Sequence, residues 1–244
     1  MPAGFSWNDW LGVAPVRPFL KDVYHPGNWR KRLDFGTATF GDMGCHILDP
    51  SFWALELGPP STVEATSTHF EPAVMSETYP RACIVRYTFP ARGNRPPVKL
   101  TWTDGRLLPF RPPEMEADRK LPGSGAQLIG DKGTILHGSH GADGVRLIPE
   151  TKMQAYKRPP QTLRRVNGTH EAEWIRAIKE GPKGPPPTSP FEYGGALTEM
   201  VLLGVLAIRM QNQRLEWDSK NLRFTNNEAA NKLLKIDYRP GWTL

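Results

Sequence analysis

Hydrophobic and polar positions alternate through the middle of this chain and follow a helical spacing on either side. From Thr62 to Phe70, Val63, Ala65, Ser67 and His69 alternate with Glu64, Thr66 and Thr68, the period of a strand with one covered face. Residues 82–89 and 98–103 are rich in β-branched and aromatic side chains, and the Ala91-Arg92-Gly93-Asn94-Arg95 turn between them predicts a hairpin. Shorter strands fit 126–129, 134–137 and 145–148, while 105–123, broken by prolines and glycines, predicts a long surface loop over the sheet edge.

The spacing is helical over 41–57, where Met43, Ile47, Phe52, Trp53 and Leu55 bury the apolar faces and Gly58-Pro59-Pro60 stops the helix. Pro50 lies within it and has no N–H, so the His46 carbonyl is expected to be free at a kink. His170–Lys179 places Trp174, Ile175 and Ile178 on a helix that Gly181-Pro182 ends. Beyond a Pro-rich connector (182–190), Phe191–Gln211 predicts a core helix through Leu197, Met200, Val201, Leu203, Leu206 and Ile208, and a short helix covers 227–234. Ahead of these elements, residues 1–39 form an extended arm bearing Trp7, Trp10, Phe19, Tyr24 and Trp29, aromatics that anchor to a core or line a pocket. Strands followed by helices, without alternating βαβ units, predict an α+β fold: an open, mostly antiparallel or mixed sheet with helices packed on one face. The expected organisation is a single domain over 1–244, with an arm (1–39) and a core (40–244).

The net charge of +6 raises the question of nucleic acid. The basic residues are scattered among acidic ones, with no run beyond Arg30-Lys31-Arg32 and Arg164-Arg165. A phosphate-tracking face needs them concentrated, so the charge points instead to anionic small molecules. Negative mean hydropathy predicts a soluble chain. We find no run of about 20 apolar residues, hence no membrane span, and no export signal at Met1–Ser6. Cys45 and Cys83 fall in apolar patterns and are expected as buried free thiols in a reducing cytoplasm.

The richest chemistry lies in Gly41-Asp42-Met43-Gly44-Cys45-His46-Ile47-Leu48-Asp49. On a helix, Asp42, His46 and Asp49 project from one face, and polar groups set among apolar ones need partners. Asp42 could cap the helix while His46 donates to Asp49 or to a carbonyl. Alternatively the stripe meets a substrate or a metal. Asp42, His46 and Asp49, with Asp104, offer oxygen and imidazole ligands suited to Ca²⁺, Mg²⁺ or Mn²⁺. Such a cation could activate water against a phosphodiester, ester or lactone. Gly138-Ser139-His140-Gly141 lacks the nucleophile-elbow spacing. His137 and His140 are expected to be structural, His69 to lie on the sheet face and His170 to start a helix.

Around this helix, Tyr24-His25-Pro26-Gly27-Asn28-Trp29-Arg30, Asp34-Phe35-Gly36-Thr37 and the Gly-Asp-x-Gly-x-His-x-x-Asp run resemble the glucose–fructose oxidoreductase and inositol dehydrogenase (Gfo/Idh/MocA) family. The resemblance extends from Trp7-Asn8-Asp9-Trp10-Leu11-Gly12, an element opening the carboxy-terminal domain of a bacterial branch, through Ser139-His140-Gly141 and Glu173-Trp174. It continues through Tyr193-Gly194-Gly195-Ala196-Leu197-Thr198-Glu199 to Tyr238-Arg239-Pro240-Gly241-Trp242. It implies a mostly antiparallel sheet whose open face makes a homodimer. It also places Asp42 and His46 at the substrate, His46 as proton-transfer partner or hydroxyl ligand, with Arg30 and Asn28 contacting the substrate or its neighbouring loop; Trp29, His25 and Asp104 are further candidate substrate contacts. Family members hold NAD or NADP, and a lysine completing the active site, in a Rossmann domain that precedes this one. The nearest glycine-rich run here, Gly123-Ser124-Gly125-Ala126-Gln127-Leu128, lacks the third glycine and leads into strand-like sequence. The expectation is therefore a stand-alone substrate-binding domain for a small polar, sugar-like or anionic molecule. It would bind no NAD(P) and transfer no hydride unless a separate nucleotide-binding chain joined it. A metal-assisted hydrolase and an inactive oxidoreductase fragment are the alternatives.

Overall fold

The computed structural model describes residues 1–243. Its framework is a sheet of β1 (Thr62–Ser67), β2 (Cys83–Phe89), β3 (Val98–Thr103), β7 (Leu215–Asp218) and β8 (Arg223–Phe224), in the order β3-β2-β1-β7-β8 and antiparallel throughout. A second, three-stranded antiparallel sheet holds β4 (Ala126–Gly130), β5 (Gly133–His137) and β6 (Arg146–Ile148). The helices are α1 (Trp7–Leu11), α2 (Ala38–Leu55), α3 (Glu150–Ala155), α4 (His170–Glu180), α5 (Phe191–Met210) and α6 (Glu228–Asn231). The expected α+β class, with open antiparallel sheets, is what forms.

Register explains which residues are buried. Val63 pairs with Tyr87 and Ala65 with Val85, while Val85 pairs with Trp102. One face of the larger sheet thus presents Val63, Ala65, Val85, Tyr87, Phe89 and Trp102, all buried in one core with Phe40 and Leu48 of α2 and Met200 and Leu203 of α5. The opposite face carries Glu64, Thr66, Arg86, Thr88, Lys99 and Thr101, as the strict alternation of a strand requires. Where α5 crosses beneath α2 and β2, Gly204 is required: a Cβ there would lie 2.0 Å from the Tyr87 hydroxyl and 2.1 Å from a Phe40 ring carbon.

The α5 helix corrects one sequence reading. Its 20 residues are long and apolar enough to cross a membrane, although no such run was expected. In this fold Leu197, Met200, Val201, Leu203, Val205, Ala207 and Ile208 are buried, so α5 serves as the core helix. Gly194, Gly195, Thr198 and Glu199 interrupt the run without lowering its mean hydropathy below the spanning range.

Several local expectations also change. Helix α2 begins at Ala38, earlier than expected, continues through Pro50, and ends with Glu56 in the left-handed region (φ 49°). Its buried stripe is Phe40, Gly44, Ile47, Leu48, Ser51 and Phe52, which leaves Trp53 and Cys45 exposed. Cys83 is buried, and burial followed by the nearby Asp104 carboxylate pushes its thiol pKa up. Strand β1 stops at Ser67, so His69 is an exposed residue 3.5 Å from Glu71 rather than a sheet-face one. Trp174, Ile175 and Ile178 are exposed on α4, although their spacing is helical as expected. The buried residue of α4 is Glu173, held between Arg164 (2.7 Å) and Arg176 (3.0 Å).

The arm folds on itself through its rings. Trp7 stacks on Trp10 at 4.7 Å and meets Phe19 edge-on, while Trp10 lies against Phe35. The Trp7 indole N–H donates to the Arg17 carbonyl (2.7 Å), and Arg17 reaches Asp34 and Glu77. From the far end of the chain, Arg239 donates to the Gly12 carbonyl at 2.6 Å and to Asn8. These bonds set the arm, and the short 3-10 turn Asn28–Lys31, against the start of α2.

Candidate functional site

Asp42 and His46 occupy successive turns of one exposed face of α2, as their four-residue spacing dictates. Each has acquired a partner from a different element. The Arg30 guanidinium, on the 3-10 turn, donates to Asp42 Oδ1 at 3.0 Å, and its other side lies 4.5 Å over the Trp29 ring. His46 meets His140, from the turn after β5, with ring centroids 4.6 Å apart and planes inclined by 39°. Ser139 Oγ lies 3.0 Å from His140 Nδ1. His140 lies in a turn, as expected, and that turn brings its ring to His46, a contact the sequence reading did not foresee. Only the Ser139-His140-Gly141 resemblance pointed to it, since 94 positions separate it from His46.

The other candidates are engaged elsewhere. Asn28 Nδ2 donates to the Asp22 carbonyl at 2.8 Å and so closes its own loop. His25 is exposed and lies against Phe5, with centroids 6.5 Å apart. Asp104 accepts from the Cys83 N–H (2.7 Å), the Cys83 thiol (3.3 Å) and the Trp102 indole N–H (3.2 Å), a set that binds β2 to the end of β3. Asp49 accepts from the Tyr193 hydroxyl. Burial first, and the Asp49 carboxylate second, raise the Tyr193 pKa. That bond joins α2 to α5 and turns Asp49 toward the helix pair.

The expected metal set of Asp42, His46 and Asp49 is therefore corrected. Among the described residues no three His, Cys, Asp or Glu side chains gather as a metal would require. Asp42 and Asp49 share a helix face, yet seven residues separate them by about 10.5 Å along the axis, and each is already partnered by Arg30 or Tyr193.

What remains is an open, polar surface: an arginine–carboxylate pair beside two imidazoles. Guanidinium and imidazole N–H groups donate, and carboxylate and bare imidazole nitrogen accept, so this surface can hold hydroxyls and anions together. Residues 1–78, which carry the arm, the 3-10 turn, α2 and β1, match the oxidoreductase family, C-terminal alpha/beta domain. Over this stretch, about a third of the chain, the protein is similar to the Gfo/Idh/MocA oxidoreductases. No curated protein matches it. The Gfo/Idh/MocA match contains Arg30, Asp42 and His46, whereas His140 lies outside it and joins them only through the fold.

Proposed function

We propose that this chain is the substrate-binding half of an oxidoreductase, taking a small polar, sugar-like or anionic molecule on the face formed by Arg30, Asp42, His46 and His140. The observation that carries this reading is the convergence of the two imidazoles at 4.6 Å beside the Arg30–Asp42 pair at 3.0 Å. In this reading Arg30 attracts the anionic or oxygen-rich end of the substrate, and Asp42 holds the guanidinium in place. A His46 ring nitrogen receives or returns a hydroxyl proton, with His140 as its neighbour on the same substrate. NAD(P) would be the hydride carrier.

The glycine-rich run of this chain does not have the setting of a dinucleotide turn. Gly123-Ser124-Gly125 leads into β4, not into a helix whose N-terminus could receive a pyrophosphate. Gly125 is required by its own sheet, because a Cβ there would lie 2.1 Å from the His137 carbonyl oxygen. Hydride transfer in this reading depends on a nucleotide-binding partner, and the exposed Trp174, Ile175 and Ile178 of α4 offer it an apolar face. The outer face of the five-stranded sheet sets Glu64 opposite Arg86 among threonines. We propose it as the homodimer surface, and a monomeric mass by light scattering at micromolar concentration would refute this.

The test is calorimetric titration of the full chain with a panel of polyols and sugar acids, beside Arg30→Ala, His46→Ala and His140→Ala. Saturable binding to the wild type, weakened roughly 10-fold or more in each variant, is expected from the loss of charge-assisted hydrogen bonds. Binding that none of the three substitutions alters would overturn the placement of the site.

A further inference from the structure

Arg30 is tethered as no other arginine among the described residues is. Every other arginine there that makes a side-chain hydrogen bond or ion pair spends at least one Nη group on it. Arg17, Arg111, Arg176 and Arg239 spend both. Arg30 spends only its Nε–H, on Asp42 Oδ1 at 3.0 Å. Its guanidinium also lies 4.5 Å over the Trp29 ring, closer than the 5.3 to 5.6 Å at which Arg17, Arg32, Arg209 and Arg239 meet their rings. The group is thus held along one edge by a carboxylate and across one face by an indole. Its side chain is 47% exposed, and what it keeps for solvent is the end that carries Nη1 and Nη2. An arginine swinging in water loses side-chain entropy when it captures a ligand, whereas one already held in a fixed plane loses less.

The shape and charge of that end select the ligand. Two parallel N–H groups on a planar guanidinium match the two oxygens of a carboxylate. A neutral hydroxyl occupies one of them and leaves the other to water, so it gains little. Asp42 already shares the guanidinium, and its repulsion of a ligand grows with the ligand's own charge, which favours a monoanion over a phosphate dianion. Hydroxyl-binding groups follow at a set distance. Asp42 and His46 stand one turn apart on α2, about 5–6 Å between Cβ atoms, and the His140 ring continues the row 4.6 Å beyond. We infer that this face takes a hydroxylated monocarboxylate, a sugar acid rather than a neutral sugar. Its carboxylate sits end-on against Nη1 and Nη2 of Arg30, and its hydroxyls run along His46 and His140. The inference rests on the substrate site proposed above and narrows what that site accepts. Trp29 becomes a positioning residue, acting on the ligand through Arg30.

Calorimetric titration of the full chain with ribonate, ribitol and ribitol 5-phosphate tests it, since ribonate and ribitol differ only in a carboxylate against a primary alcohol. Ribonate should bind about 10-fold or more tighter than ribitol, and tighter than ribitol 5-phosphate. Arg30→Lys, which keeps the charge and loses the fork, should reduce the ribonate-to-ribitol ratio to about 3-fold or less. Trp29→Leu should lower the ratio as well, and Trp29→Phe, which restores a ring face, should recover most of it. His46→Ala should weaken both ligands and leave their ratio unchanged. Circular dichroism checks that Arg30→Lys, an exposed change, is folded, and the wild-type ratio decides even if it is not. Equal affinity for ribonate and ribitol, each weakened by His46→Ala, would overturn the inference and leave the proposed site standing. Tighter binding of ribitol 5-phosphate than of ribonate, or a ratio that survives Arg30→Lys, would do the same. No saturation by any of the three up to about 10 mM would overturn the site and the inference together.

Discussion

Gly204→Ala should destabilise the protein by about 2 kcal/mol, because the change adds a methyl where α5 passes against two fully buried aromatics. The new Cβ would lie 2.0 Å from Tyr87 Oη, 2.1 Å from Phe40 Cε1 and 2.9 Å from Phe40 Cζ. Carbon–carbon contacts settle near 3.5–4.0 Å, so rings or helix must move by more than an ångström. Phe40 packs at 4.9 Å against Trp102, and Tyr87 donates from its hydroxyl to the Met200 carbonyl at 2.8 Å, so neither ring can swing away without breaking another contact. Overpacking of this kind costs roughly 1–3 kcal/mol, and the close approach to two rings at once places it at the upper end. Replacing a mid-helix glycine by alanine returns about 1 kcal/mol through propensity. The net loss should lower the melting temperature by about 4–8 °C for a chain of this size, read by circular dichroism and by the urea midpoint. Adding Phe40→Leu should recover part of the loss, since it removes one of the two obstructing rings. A neutral or stabilising Gly204→Ala would refute the claim that α5 and β2 meet at this distance.

Other outcomes follow from single groups. Burial holds the Tyr79 hydroxyl, which donates to the Gly36 carbonyl, up to about 12 from 10.0. Its contribution to stability is complete below pH 10 and lost as pH rises toward 12, so Tyr79→Phe should flatten the alkaline fall in a pH series of urea midpoints. Hydrogen bonds from Arg176 first, and from Arg164, outweigh the opposing effect of burial and hold the Glu173 pKa at about 2. That contribution is present above pH 4.5 and fades as pH falls toward 2. Glu173→Gln should therefore speed limited proteolysis of the 160–190 segment at neutral pH and remove the wild type's acid dependence there. Tyr193→Phe should cost about 1 kcal/mol in chemical denaturation by leaving Asp49 without its donor, whereas His46→Ala, an exposed change, should stay within about 0.5 kcal/mol.

Much of this arrangement was legible before folding. The β-branched and aromatic side chains of 82–89 and 98–103 mark β2 and β3, because such residues fit the pleated, half-buried surface of a strand. The spacing of Leu197, Met200, Val201 and Ile208 marks α5 by its helical period. Two short strands near the end were not legible. Strands β7 and β8 have four and two residues, too few to show a period, and β7 depends on pairing with β1 and β8 on pairing with β7. The α4 stripe shows the opposite failure: periodicity marks Trp174, Ile175 and Ile178 as one face, but says nothing of whether any element of the chain comes to cover it.

The candidate site divides along the same line. Spacing along one helix suffices to put Asp42 and His46 on a common face, since 3.6 residues per turn is a local property of the backbone. Partner choice is not local. Arg30 reaches Asp42 because the aromatic arm is pinned by its own rings and by Arg239, and Tyr193 takes Asp49 because α5 crosses α2 there. His140 reaches His46 because the loop after β5 turns back onto α2. The sequence by itself determined which faces are polar and which are apolar. Tertiary structure decided which polar groups meet, because contacts between positions far apart in the chain depend on how whole elements pack.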